Sequence, residues 1–440
     1  MFKHFYINTM GCQMNEYDSD YLAQSLINYG LCPVNDPYEA DIILINTCTV
    51  RAKPQQKALS MLGRMSAVKK KNPDLILGIT GCLAQEMGSD LLERFPQLDL
   101  VMGPRDIGKV NEILYKIINA RQKILITDIK SEPPSPINCP GFFNGRILGQ
   151  ISIMVGCNNF CSYCIVPFVR GREISRSPDD ILLEARNMIS SGVKEITLLG
   201  QNVNSYLWRN GKEVNFSSLL RELIALKGLY RLRFTTSHPK DLSDDLIDCF
   251  ADKQSILCPH IHLPFQAGSN FILEKMRRGY TRERYLDLIY RLREANHDIA
   301  ITSDVMVGFP GESEKDFEMT LDLIKKVQFD SLFSFKYSDR KWTLSAKMKD
   351  KVDESEKALR LIKLQDLQKQ ITLMKNKALE GRILPVLVEG VSKKGGFFRG
   401  RTGSNKVVNF NCNNNIVGSL VNVLIKLGMS NSLKGELAKE

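Results

Sequence analysis

At 440 residues the chain is too long for a single core and predicts two to four folded units. A 43% hydrophobic and 25% charged composition, with no apolar run near the ~18 residues a bilayer span requires and no signal core in the opening MFKHFYINTM, argues against a membrane or secreted protein and for a cytoplasmic one. The net charge of +11 favours a polyanionic partner such as nucleic acid, with plain solvated lysines as the alternative. Eleven cysteines, an odd number scattered along the chain, read in a reducing compartment as metal ligands or buried thiols rather than bridges.

In chain order, residues 1–120 alternate short β-rich runs with segments of helical period. The runs are HFYINTMGC, DIILINTC, LILGITGC and LVMG, with ILIT just beyond at 124–127, the pattern of a parallel sheet wrapped by helices. Cys12, Cys48 and Cys82 each close one of these strands. In a parallel sheet the carboxyl ends share one edge, so three thiols distant in sequence can meet there and bind metal. Taken singly, each reads as a buried apolar residue. The segment 121–142 is expected to be a linker, because SEPPSPINCP packs four prolines into ten positions, which no helix or central strand tolerates.

From 143 to 373 the alternation resumes with a longer period. QISIMVGC, EITLLGQN, YRLRFTTSHP, HIHLPFQAGS, IAITSDVMVGFPGE and DSLFSFKYS form six strands of a partial (β/α)6 barrel. Two of its helices carry start signals. Ser177, Pro178 and Asp180 mark one, with Gly192 past its end, and Ser313 with Asp316 marks the other. A charged helix from about 354 to 380 ends at Gly381, and a solvated face explains its charges. The tail, 376–440, is β-rich and broken by Gly, Asn and Lys, which predicts a small antiparallel barrel. It holds ten Lys or Arg against four Asp or Glu. The fold class is therefore α/β, with a parallel-sheet domain, a partial barrel and a terminal β-barrel.

The stretch GCNNFCSYC sets Cys157, Cys161 and Cys164 on one loop after the first barrel strand, at the mouth where substrates bind. Iron–sulfur clusters are held by thiolates, normally four, so three leave one iron open to a small molecule. Structural zinc is the competing reading, but it wants a fourth Cys or His, and no His falls between 5 and 237. Cys32, Cys139, Cys249, Cys258 and Cys412 follow no such pattern and read as structural.

Together these residues resemble the radical S-adenosylmethionine methylthiotransferase family. The likeness runs through TMGCQMNEYDSD, NTCTVRAKPQQK, GCLAQ, GCNNFCSYCIVPFVRGRE, LLGQNVNSY, TSHP and SDVMVGFPGES to the basic tail. It implies that Cys157, Cys161 and Cys164 hold a [4Fe-4S] cluster whose open iron chelates S-adenosylmethionine, giving a 5'-deoxyadenosyl radical. It further implies that Cys12, Cys48 and Cys82 hold a second [4Fe-4S] cluster that carries the transferred sulfur. The wording MGCQMN, GQNVNSY and TSHP is most similar to the branch that methylthiolates C2 of isopentenylated adenosine beside the tRNA anticodon. Under the same resemblance Tyr163, Gly200, Gln201, Asn202, Asp304 and Gly308 lie near S-adenosylmethionine, where a core aromatic, turn glycines and a cap-like Asp would look alike.

The tail resembles a TRAM domain, in which Lys393, Lys394, Arg399, Arg401, Phe397 and Phe398 would offer phosphate contacts and stacking to RNA. The implied partners are tRNA and a reducing electron donor, with the chain a monomer. Two departures stand out: Trp342 in RKWT occupies a place where the family usually has glycine, and FQAGS stands for QSGS. Methylthiolation of threonylcarbamoyladenosine or of a ribosomal-protein aspartate, and a non-catalytic RNA-binding iron–sulfur protein, remain open readings.

Overall fold

A computed structural model describes every residue of the chain except 1, 51, 393, 394, 413, 439 and 440. The first unit is a six-stranded sheet of β1 (His4–Met10), β2 (Cys32–Pro33), β3 (Ile42–Thr47), β4 (Ile76–Gly81), β5 (Leu100–Met102) and β6 (Ile124–Ile126). All pairs are parallel, in the order β2-β1-β3-β4-β5-β6. Strands β3 and β4 are buried at every position, which is why they read as unbroken apolar runs: helices cover both faces. Ile42 and Leu44 pack on one side with Leu22, Leu26 and Leu114, and Ile43 and Ile45 on the other with Met61 and Leu62. Two features differ from the sequence reading. Two-residue β2 is too short to show a period, and β6 extends the sheet to Ile126, past the expected boundary at 120. Helices α1 (Gln13–Asn28), α2 (Ala52–Lys71) and α3 (Cys82–Met87) follow the three cysteine-tipped strands.

The six expected barrel strands form as β7 (Leu148–Ser152), β8 (Glu195–Leu199), β9 (Arg231–Phe234), β10 (His260–His262), β11 (Ala300–Val307) and β12 (Ser331–Lys336). They make two three-stranded parallel sheets, β7-β8-β9 and β10-β11-β12, joined beside β9 by a bridge between Leu232 and Leu257. Among the labelled helices of this unit are α4 (Val166–Val169), α5 (Pro178–Ser190), α6 (Glu314–Val327) and α7 (Glu354–Lys377). Ser313 and Asp316 form the expected reciprocal cap of α6. The Asp316 N–H donates to Ser313 Oγ at 3.3 Å, and the Ser313 N–H to Asp316 Oδ2 at 3.0 Å. Ser177 does hold the cap position of α5, but its hydroxyl makes no cap hydrogen bond.

The tail closes a five-stranded barrel of β13 (Ile383–Val391), β14 (Phe398–Thr402), β15 (Val407–Asn411), β16 (Leu420–Gly428) and β17 (Leu433–Leu437), in the order β13-β14-β15-β17-β16. It is not antiparallel throughout, since β15 and β17 run parallel. An odd number of strands cannot alternate direction all the way round a closed ring, so one pair must be parallel. No helix among the described residues is long and apolar enough to cross a membrane.

Candidate functional site

The sheet edge gathers the first three thiols as its topology requires. Neighbouring strands β1, β3 and β4 end at Met10, Thr47 and Gly81, and Cys12, Cys48 and Cys82 follow within two residues. The Cys12 and Cys48 thiols lie within hydrogen-bonding reach of one another, Cys48 feels the charge of Cys82, and Cys82 feels that of Cys12. The bond with Cys48 brings the Cys12 thiol down to about 6, with the Arg170 charge assisting, while the same bond pushes Cys48 up. Burial pushes Cys82 up as well. A buried amide pair fixes the edge: Asn15 Nδ2 donates to Asn46 Oδ1 at 3.0 Å, Asn46 Nδ2 donates back to the Asn15 carbonyl at 2.9 Å, and Cys12 Sγ donates to Asn15 Oδ1 at 3.3 Å.

The second trio lies on the loop after β7. Gly156 opens it at φ +81, where a Cβ would stand 2.1 Å from the Arg172 carbonyl, so only glycine fits. The Gly156 N–H donates to Gln201 Oε1 at 2.5 Å, which pins the loop to the end of β8. Burial raises the Cys157 thiol and pushes Cys164 up to about 12, with Cys161 adding to both. Among the described residues, no three Cys, His, Asp or Glu side chains converge on a point that would hold one metal ion. Cluster thiolates bind separate irons and ring a cage, so the ligands of a cluster do not need to meet at one point.

Each trio has one buried arginine that sequence reasoning did not single out. Arg170 Nε donates to Cys82 Sγ at 3.3 Å, and its Nη2 is paired with buried Asp18 at 2.6 Å. Arg278 Nη1 donates to Cys161 Sγ and to Tyr163 Oη, both at 3.4 Å, while Nη2 donates to the Pro264 carbonyl at 2.7 Å. Arg170 sits six residues after Cys164, within a motif already noted, whereas nothing local marks Arg278. Between the trios runs α4, whose last residue Val169 packs with the preceding Ile165 on Cys82 in a small apolar cluster. Helix α1 seals the joint from the other side: Tyr17 Oη accepts from Arg176 at 2.9 Å, and Asp20 pairs with Arg146 at 2.8 Å.

The other expected residues are placed unevenly. Tyr163 packs on the buried cluster of Ile272, Leu273, Met276 and Phe309 beside Arg278. Gly200 abuts Met154, and Gln201 is occupied by Gly156. Asn202 is buried, donates to Asp241 Oδ2 at 2.7 Å and leaves its Oδ1 without a partner. Asp304 faces His262 Nε2 at 3.5 Å, and Gly308, at φ +71, turns its N–H to Glu312 Oε2 at 2.5 Å. Near Asn202, Ser237 Oγ and His238 Nε2 are also buried and unpartnered. Burial holds His238 down at about 2, so the ring is neutral, and its Nδ1 accepts the Lys240 N–H at 3.2 Å. The proton therefore sits on Nε2, a free donor. These orphaned atoms at the carboxyl ends of β8 and β9 match a polar ligand such as S-adenosylmethionine.

Two surfaces bear on a polyanion. Helix α2 carries six Lys or Arg and no Asp or Glu, and Lys53, Gln56, Lys57, Ser60 and Arg64 share one exposed face that forms a concave surface with Met10, two residues before Cys12. In the terminal barrel the arginines expected to meet phosphate also have a partner within the fold. Arg401 pairs with Glu389 at 2.8 Å and Arg399 approaches it at 3.8 Å, while Phe398 packs on the barrel core and Phe397 stays exposed. Lys393 and Lys394 lie outside the described residues.

Residues 151–324 match the model of the radical SAM superfamily, 4–103 that of an uncharacterized protein family, UPF0004, and 377–438 that of the TRAM domain. Among solved structures, a radical S-adenosylmethionine methyltransferase, TsrM, from Kitasatospora setae shares the fold with a TM-score of 0.57 at 15% identity, over 79% of this chain and 77% of that one. Fold and site thus define a radical S-adenosylmethionine enzyme with an appended TRAM barrel. Curated relatives are similar over their whole length. A tRNA-2-methylthio-N(6)-dimethylallyladenosine synthase of Syntrophus aciditrophicus is 50% identical over 100% of this chain and 95% of its own. One of Geotalea uraniireducens is 47% identical over 99% of each. The chain belongs to the family of tRNA-2-methylthio-N(6)-dimethylallyladenosine synthases.

Proposed function

We propose that the protein methylthiolates C2 of N(6)-isopentenyladenosine beside the anticodon of tRNA, working in the cytoplasm as a monomer supplied by an external electron donor. The observation that carries this reading is the pairing of two three-thiol sites across α4, each with a buried arginine against one sulfur. On this reading Cys157, Cys161 and Cys164 hold one [4Fe-4S] cluster with an iron open to S-adenosylmethionine, and Cys12, Cys48 and Cys82 hold the other. When bound, these groups supply one-electron chemistry that opens an inert aromatic C–H bond, together with the sulfur and methyl group that replace its hydrogen.

The chain's own residues do the rest. Arg170 and Arg278 place positive charge and an N–H donor against Cys82 and Cys161, which raises the reduction potential of whatever those thiolates bind. Gln201 holds the cysteine loop in register through Gly156. His238 Nε2–H and Ser237 Oγ–H offer donors, and Asn202 Oδ1 an acceptor, for the amino-acid end of S-adenosylmethionine, while Tyr163 supplies an apolar wall. Ile165 and Val169 keep water from the path between the trios. The α2 face suits the phosphate backbone of the RNA. Nucleoside mass spectrometry of tRNA from cells with and without the gene tests the reading: 2-methylthio-isopentenyladenosine should appear only with the gene, and its presence in both strains would overturn it.

A further inference from the structure

The loop that follows β12 crosses the gap between the two trios. At one end Arg340 Nη2 donates to the Val50 carbonyl at 2.8 Å, two residues past Cys48. At the other the Ser345 N–H donates to the Ser162 carbonyl at 2.9 Å, between Cys161 and Cys164. Trp342 stands at the middle of this strap. It is 44% exposed, so no core demands its bulk, and its backbone is left-handed at φ +68, a conformation that disfavours any side chain. Phe168 meets it from α4 and is itself 39% exposed, with ring centroids 6.2 Å apart and planes inclined at 40°. Two rings at that tilt form an open wedge, and both remain part-exposed to solvent. Lys341 holds its ammonium 5.1 Å from the indole, and its partner Asp90 is 3.9 Å away.

We infer that Trp342 and Phe168 form a stacking seat for an unpaired base of the substrate RNA, at the rim between the two thiol trios. The inference rests on the proposed action on tRNA and adds to it the residues that grip the loop. Unpaired RNA bases are read by splaying them out onto aromatic faces, and a flanking cation steadies the adjoining phosphate. A left-handed tryptophan is retained at a local backbone cost that its own packing does not offset; seating a base supplies the reason. Because the seat lies on a strap bonded next to Cys48 at one end and next to Cys161 at the other, a base held there is held between the two trios.

The test uses intrinsic fluorescence, since the chain has two tryptophans and Trp208→Phe leaves Trp342 as the only one. Titrating that reconstituted protein with an isopentenylated anticodon stem-loop should quench Trp342 saturably. Phe168→Ala and Trp342→Gly should each weaken binding of the same RNA on the order of ten-fold. Trp342→Gly is the safer variant for folding, because glycine takes φ +68 without strain. Emission that does not move at saturating RNA, or affinities of both variants equal to that of the parent, overturns the seat. Wild-type holoenzyme that binds the stem-loop but yields no methylthiolated product overturns the functional reading and leaves the seat standing.

Discussion

Arg170 and Arg278 sit in corresponding places, one against each trio, and each is buried where an unpaired charge would be costly. For Arg170 the compensation is Asp18, contributed by α1, 152 positions earlier in the chain. Arg170→Met strands that carboxylate and should lower stability by about 3–5 kcal/mol in urea titration. Arg170→Met with Asp18→Leu should recover most of the loss. In both variants the potential of the cluster proposed at Cys82 should fall, read by redox titration with paramagnetic resonance, because the N–H donor to sulfur is gone. The double variant separates a structural salt bridge from electronic tuning. This pairing was not legible in the sequence: the cysteines announce themselves by spacing and strand ends, but an arginine's partner is chosen by the fold.

At the scale of elements, local signals held where burial dictates residue type and, at Ser313 though not at Ser177, where a side chain caps a helix. Apolar β3 and β4 and the Ser313–Asp316 cap were readable, while two-residue β2 and the parallel closure of the last barrel depend on pairing geometry no local window contains. Helix α2 shows the same division. Its charges are plain in the sequence, yet only the fold reveals that Lys53, Lys57 and Arg64 share a face beside Met10. Lys53→Glu with Lys57→Glu and Arg64→Glu should weaken tRNA binding. It should also flatten the slope of log K against log salt by about two to three, as three lost phosphate contacts require. An unchanged slope would mean that the α2 face stays in solvent.

Across the whole molecule the terminal barrel is fastened, not tethered. Arg233, on β9, donates to the Thr402 and Gly403 carbonyls at 2.7 Å each while paired with Glu195, and Arg231 donates to the Pro385 and Arg401 carbonyls. Arg233→Met should leave Glu195 half-paired and loosen the barrel, seen as faster proteolysis between α7 and β13 and faster amide exchange in β13 and β14. The basic tail pointed to RNA through its charge count, but a count cannot know that Arg401 and Arg399 face Glu389. The docking fixes the terminal barrel on β9 of the partial barrel, with Lys406 paired to Asp330 at 2.9 Å just before β12.

The central claim is that each thiol trio holds its own four-iron cluster. Iron and sulfide should be measured on anaerobically reconstituted protein, on the variant with Cys12, Cys48 and Cys82 all changed to Ala, and on the one with Cys157, Cys161 and Cys164 so changed. The account predicts about eight irons per chain in the wild type and about four in each variant. Four irons in the wild type, or eight retained after either trio is removed, would contradict it.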